Sequence, residues 1–275
     1  MITLEPHGGL ANRMRVIASG LWLMKESNQE LEVIWNLNED LNCNFNVLFN
    51  QIQGVSIFEK RKKDFYVHHT NHPDFYKRIK AYFRNRLLGI GYCIKEGDFS
   101  KLIWTNKISI DKISKNNKNI FITTCQEFGD NYNEFKSFSP SHSVQQVIDQ
   151  QVSKFNENTI GIHIRRTDNL NSIKKSPTKL FITKMEEELH KNKDVNFFLA
   201  TDDKETEREL LNRFESKIII YKKVLNRNIE KGIIDAVVDM YCLSNTKYIY
   251  GSYWSSFSDI ASRVGNIELK VLAIN

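Results

Sequence analysis

At 275 residues with 41% hydrophobic side chains, the chain is long enough for one large or two smaller packed domains. No apolar run nears the roughly 20 residues of a membrane-spanning helix. The net charge of +6 is uneven, with 15 Lys and Arg against 5 Asp and Glu between Lys60 and Lys118.

In chain order, a strand near Ile2–Glu5 leads through a glycine turn into a helix with Met14, Ile17, Ala18, Leu21 and Trp22 at helical spacing. Leu31, Val33 and Trp35 alternate as in a strand, and residues 36–118 give no clear pattern. Ile120–Thr124 reads as a strand. Ser139-Pro140 reads as an N-cap and first-turn proline before a helix carrying Val144, Val147, Ile148 and Val152.

The second half alternates. Strands are expected at Thr159–Ile164, Asn196–Ala200, Lys217–Tyr221, Lys247–Tyr250 and Leu269–Ala273. Helices are expected at Thr178–His190, Lys204–Phe214, Ile233–Leu243 and Ser258–Val264, the third with Ile233, Ile234, Val237, Met240 and Tyr241 inward. Short apolar strands alternating with helices specify an α/β fold with parallel strands covered on both faces. A boundary near 140–158 divides the chain into an N-terminal domain, 1–145, and a C-terminal domain, 146–275. Ligands of such sheets sit at the carboxyl ends of the strands.

Three constellations fall at such ends. The apolar run Ile160–Ile164 stops at Arg165-Arg166, followed by Thr167 and Asp168, with His163 inside the strand. Two adjacent guanidiniums suit a phosphate in bidentate fashion, or form a surface salt bridge at a strand end. The stretch His7-Gly8-Gly9-Leu10-Ala11-Asn12-Arg13 lets backbone approach an anion at a helix start, or is a plain tight turn; it is not a P-loop. Gly251–Asp259 offers serine hydroxyls at a strand-to-helix turn, with Ser256 or Ser258 as helix cap. No GxSxG elbow is present.

Asp235 and Asp239 lie one turn apart, opposite the expected core face. A carboxylate there could accept from guanine N1–H and its exocyclic amine, or be solvated. Thr201-Asp202-Asp203 follows a strand, where the acids could touch a ribose or cap the next helix. His68-His69-Thr70-Asn71-His72 fits no metal-ligand spacing and reads as a loop. The scattered Cys43, Cys93, Cys125 and Cys242 form no CxxC pair, which fits reduced thiols in a cytoplasm, and no secretion leader is read at the N-terminus. The basic, aromatic-rich segment 77–88 suits anionic lipid, a phosphorylated acceptor or RNA, or a solvated face, but no RNA-binding signature accompanies it.

Together these motifs resemble the GDP-fucose-dependent fucosyltransferases. Gly161-Ile-His-Ile-Arg-Arg-Thr-Asp168 resembles their His-x-Arg-Arg motif, nearest to the α1,6 type, with kin among α1,2 and protein O-fucosyltransferases. Phe198–Asp203 resembles the second motif. Asp239–Ser244 followed by Ser255-Ser256-Phe257 resembles the third, and Gly8–Arg13 the N-terminal glycine loop. The match is specific over about residues 158–265 and thin between Asn36 and Ser139.

The resemblance implies a GT-B-like architecture of two Rossmann-like domains with the donor cleft between them. It implies an inverting, metal-independent transfer of fucose from GDP-fucose to a glycan hydroxyl, with no cofactor. Carried over by position, Arg165 would hold the β-phosphate, and Arg166 would support the site or help neutralise the leaving group. His163 would contact ribose or diphosphate, and Asp239 would read guanine. Ser255, Ser256 and Phe257 would line the nucleotide pocket, with Thr201 and Asp202 beside it. Gly9, Leu10, Ala11 and Asn12 would approach the diphosphate. The α1,6 enzymes place a lysine and an acid shortly after the arginines. Here Asn169 and Ile173 stand there, so the acceptor contacts and linkage do not carry over. The general base is unassigned, with Asp168 a candidate by proximity.

The expected partners are a GDP-sugar and a glycan acceptor, free or lipid-linked, with the basic 60–118 region as a surface for peripheral contact at an inner membrane. No nucleic acid is among them. The competing readings are an inactive nucleotide- or glycan-binding module of the same fold and a basic RNA-binding protein.

Overall fold

The computed structural model describes residues 1–61, 75–76, 79–80, 83, 86, 89, 91–99, 103–105, 109–116, 119–167, 170–226 and 228–274. It divides into two compact units, Met1–Asn46 with Gln51–Ser137, and Val47–Asn50 with Phe138–Asn275. The chain therefore enters the second unit twice.

The first unit is built on a parallel sheet of order β3-β2-β1-β5-β4. Its strands are β1 (Ile2–Pro6), β2 (Leu31–Leu37), β3 (Val55–Arg61), β4 (Tyr92–Lys95) and β5 (Ile120–Thr124). Strand β1 is central, with Ile2 opposite Leu31 on one side and Ile120 on the other. The helix Leu10–Ser27 follows it and buries Met14, Val16, Ile17, Leu21 and Leu23. It ends at Asn28 in the left-handed region, whose N–H bonds the Met24 carbonyl. Strands β3 and β4 have no counterpart in the sequence reading; both lie at the sheet's edges.

The second unit repeats the plan in the order β10-β9-β6-β7-β8. Its strands are β6 (Thr159–Ile164), β7 (Asn196–Thr201), β8 (Ile218–Ile220), β9 (Ile249–Ser252) and β10 (Leu269–Leu272). Every residue of β6 is buried, as expected of the middle strand of a covered parallel sheet. Ile160, Ile162 and Ile164 enter a core with Phe181, Met185, Phe197, Leu199 and Leu210. The chain runs from β6 outward to β7 and β8, then returns to the other side of β6 as β9. That reversal makes the carboxyl ends of β6 and β9 the switch point, where doubly wound sheets take their ligands. The corresponding point in the first unit lies between β1 and β5.

Three local expectations change. Strand β8 is shorter than read, because Glu215–Lys217 forms a 3-10 turn before it. The helix after Ser139-Pro140 begins at His142, with Ser141 at the N-cap position. Pro140 is instead held in an antiparallel bridge with Phe49, and Ser141 N–H bonds the Leu48 carbonyl at 2.9 Å. Phe49 packs on Phe138 and Tyr241 at centroid distances of 5.6 and 6.4 Å, which explains why Val47–Asn50 belong to this unit. Finally, the helix Glu230–Ser244 is buried nearly all round: Asp235 is inside and Ile234 is only half-buried.

Candidate functional site

Where β6 ends, Arg165 and Arg166 leave the sheet at the switch point. The Arg165 backbone N–H donates to Ser252 Oγ (3.1 Å) at the end of β9, tying the two strand ends together. Asp202, at the end of β7, organises the turn. It accepts from the Arg166 N–H at 2.7 Å and from Thr167 Oγ1 at 2.7 Å, and pairs with Arg165 Nε at 3.1 Å.

The two guanidiniums differ. Arg166 spends its own on the protein, through Thr178 Oγ1 (3.2 Å), the Arg165 carbonyl (2.9 Å) and the Ser176 carbonyl. It braces the turn. Arg165 keeps a partly exposed side chain beside Asp202. Of the neighbouring residues, Asp203 caps the next helix by accepting from the Thr206 N–H at 2.8 Å. Thr201 is buried, its hydroxyl accepting from the Asp203 N–H at 3.3 Å.

His163 lies inside β6, stacked on Phe257 with centroids 5.0 Å apart and planes 28° from parallel. Burial, with Arg165 and Lys223 nearby, drives its pKa down to about 3. It is therefore a neutral imidazole at physiological pH. Its Nδ1 is buried with no hydrogen-bond partner among the described residues. Buried polar atoms are nearly always paired, so such an atom needs an explanation.

The two aspartates of the helix Glu230–Ser244 are both buried, at 1% and 5% exposure, which corrects the expectation of a wet helix face. Asp235 is saturated: it accepts from Tyr221 OH (2.6 Å), Lys231 Nζ (2.6 Å) and the Val224 N–H (2.9 Å). Asp239 is not. Its Oδ2 takes the ammonium of Lys223, and its Oδ1 is buried without a partner among the described residues. Burial raises the Asp239 pKa to about 6, with Lys223 pulling the other way. Lys223 stands just beyond β8 and has no signal in a lysine-rich sequence.

The turn that carries Lys223 is set by Gly232. A Cβ there would meet the Asn226 carbonyl oxygen at 1.9 Å, a backbone contact that cannot yield locally. Gly232→Ala is expected to push the turn off the helix, loosen the Lys223–Asp239 pair and cost about 1–3 kcal/mol. Thermal melting measures the loss; an unchanged melting temperature would count against this packing.

The serine turn after β9 differs from expectation. Ser255, not Ser256 or Ser258, holds the N-cap position of the helix Ser256–Gly265, and its side chain makes no cap bond. Ser255, Ser256 and Phe257 are all half-buried. Asp168 and Asn169 lie outside the described residues, as do His68–His72 and most of the basic 77–88 segment.

The glycine turn belongs to the first unit. Gly8 adopts φ +78°, and Gly9 holds the N-cap position of the helix Leu10–Ser27. Leu10 and Ala11 point into the unit's interior, whereas Gly9 and Asn12 are half-buried. Arg13 is wholly buried and props the turn, donating to the carbonyls of Gly8 (2.8 Å) and Asn36 (2.5 Å) and to Asn38 Oδ1 (2.9 Å). Beside it sits a residue the sequence reading passed over, the buried Glu5. Its carboxylate oxygens accept from Asn36 Nδ2 (2.7 Å) and Thr123 Oγ1 (3.2 Å), and His7 Nε2 bonds the same Thr123 hydroxyl. Burial lifts the Glu5 pKa to about 7.

Among the described residues, no His, Cys, Asp and Glu side chains gather as a metal-binding group, and no helix is long and apolar enough to cross a membrane.

No protein-family model and no curated protein matches the chain by sequence. Solved structures do match by fold. A point mutant of Arabidopsis thaliana FUT1 in complex with GDP aligns with 98% of this chain and 69% of its own, at TM-score 0.62 and 15% identity. The fucosyltransferase NodZ from Bradyrhizobium aligns with 94% of this chain and 92% of its own, at TM-score 0.62 and 17% identity. POFUT1 in complex with GDP-fucose aligns with 100% of this chain and 98% of its own, at TM-score 0.59 and 10% identity. The chain has the α/β fold of these fucosyltransferases.

Proposed function

We propose that the chain is a glycosyltransferase that moves fucose from GDP-fucose to a hydroxyl of a glycan, with inversion and without a metal. The observation that carries this reading is the partly exposed Arg165 at the end of β6 beside the buried, neutral His163, whose Nδ1, like Asp239 Oδ1 and Asn36 Oδ1, has no hydrogen-bond partner among the described residues. The fold is shared with structures solved with GDP or GDP-fucose.

In the proposed reaction the acceptor oxygen attacks C1 of fucose while the bond from C1 to the β-phosphate oxygen breaks. The electron pair leaves with GDP, and the acceptor proton passes to a base or to water. The transition state is oxocarbenium-like, so the developing charge on the diphosphate is what the protein must stabilise. Arg165 supplies a permanent positive charge there, and Arg166 fixes its backbone. The neutral imidazole of His163 can exchange a hydrogen bond with ribose or phosphate without adding charge. Asp239 faces the base, and Phe257 holds the imidazole in place. For peripheral contact with anionic lipid, Phe75, Tyr76, Ile79 and Phe83 of the basic region are exposed.

Thermal melting with GDP, GDP-fucose, GDP-mannose, UDP and ADP tests the donor. GDP and GDP-fucose are expected to raise the melting temperature, and UDP and ADP to leave it unchanged. Equal response to all five, or to none, would refute the donor assignment.

A further inference from the structure

The Lys223–Asp239 pair is an incomplete network. The Lys223 side chain is 3% exposed and that of Asp239 7%, so neither ion is satisfied by water. An ammonium carries three N–H donors, and among the described residues Lys223 places one on Asp239 Oδ2. Among the described residues Asp239 Oδ1 has no donor. Buried ion pairs are stable only when their remaining donors and acceptors are also used. Lys223 also acts electrostatically on His163, which places the pair in the neighbourhood of the stacked imidazole and Phe257.

The unfilled positions are donors on one side and an acceptor on the other. Guanine presents the complementary order, an acceptor oxygen at position 6 beside a donor N1–H, with a second donor amine beyond. Adenine presents the reverse, a donor amine at position 6 and an acceptor at N1. A carboxylate with one oxygen already committed to lysine discriminates less well alone than as half of this pair.

We infer that Lys223 reads the base: its ammonium donates to O6 of guanine while Asp239 Oδ1 accepts from N1–H. The inference rests on the GDP-donor reading above. It makes Lys223 a specificity-determining residue rather than only a counter-ion.

Calorimetric titration of the full chain and of Lys223→Met with GDP and 6-thio-GDP tests it, because sulfur at position 6 is a poor acceptor. The unaltered chain is expected to bind GDP about tenfold or more tightly than 6-thio-GDP. Lys223→Met is expected to bind the two alike, with GDP weakened. Equal weakening of both ligands, with the preference intact, would show that Lys223 only neutralises Asp239 and would overturn the inference. Should Lys223→Met fail to fold, the unaltered chain decides, since equal affinity for GDP and 6-thio-GDP also overturns it. A chain that binds no GDP at all refutes the donor reading itself, a distinguishable result.

Discussion

Replacing Arg165 by alanine is expected to lower turnover of GDP-fucose by at least about 100-fold, the scale on which a single preorganised donor to a developing anion acts. The charge-assisted bonds lost are worth roughly 1.5–3 kcal/mol. The fold should survive. Asp202 keeps its bonds from the Arg166 N–H and the Thr167 hydroxyl, and the Arg165 N–H still reaches Ser252 Oγ through the backbone. Melting temperature and turnover must therefore separate in this variant. Arg165→Lys restores charge without the planar fork and should recover only part of the rate. Near-normal turnover in the alanine variant would remove Arg165 from the chemistry.

The second large effect concerns stability. Glu5 has an ordinary pKa of 4.5 that burial raises to about 7 in the folded chain. The folded state thus holds this proton more tightly than the unfolded state. The contribution is fully present below pH 4.5 and is lost as pH rises through 7. The shift corresponds to a difference on the order of 3 kcal/mol. Glu5→Gln is neutral at every pH and can still accept from Asn36 and donate to Thr123. It should match the unaltered chain near pH 4.5 and exceed it at pH 8. Asp239, raised to about 6, contributes with the same sign, whereas His163, lowered to about 3, opposes it as pH falls below 6.5. Comparing the two chains by urea midpoint from pH 5 to 8 isolates Glu5. Identical pH slopes would show that its proton is not held more tightly by folding.

How much of this was readable beforehand depends on where each residue gets its environment. Ile120–Thr124, Thr159–Ile164 and Lys204–Phe214 fall at the positions read from pattern, because central strands and an amphipathic helix carry their burial in local composition. Val55–Arg61 and Tyr92–Lys95 escaped. As edge strands they are paired on one side only, and Val55–Arg61 mixes Phe58, 46% exposed, with a charged tail. Helical periodicity placed Asp235 and Asp239 on a wet face because it assumes that one face is wet. The helix Glu230–Ser244 has scarcely any such face.

The site followed the same rule. Arg165 and His163 announced themselves by interrupting an apolar strand. Lys223 acquires meaning only from a partner sixteen residues away, and Arg166 turned inward because Ser176 and Thr178 were there to receive it. Glu5 was legible in principle, as an acid at the end of the central strand.

The excursion of Val47–Asn50 bears on how this molecule can be taken apart or recombined. A fragment starting at Phe138 would surrender Phe49, 1% exposed, and leave Phe138 and Tyr241 lining a hole. Any hybrid that grafts the second unit onto another scaffold has to transplant that four-residue strip as well, although it lies some ninety positions upstream. In this chain the unit of inheritance is discontinuous.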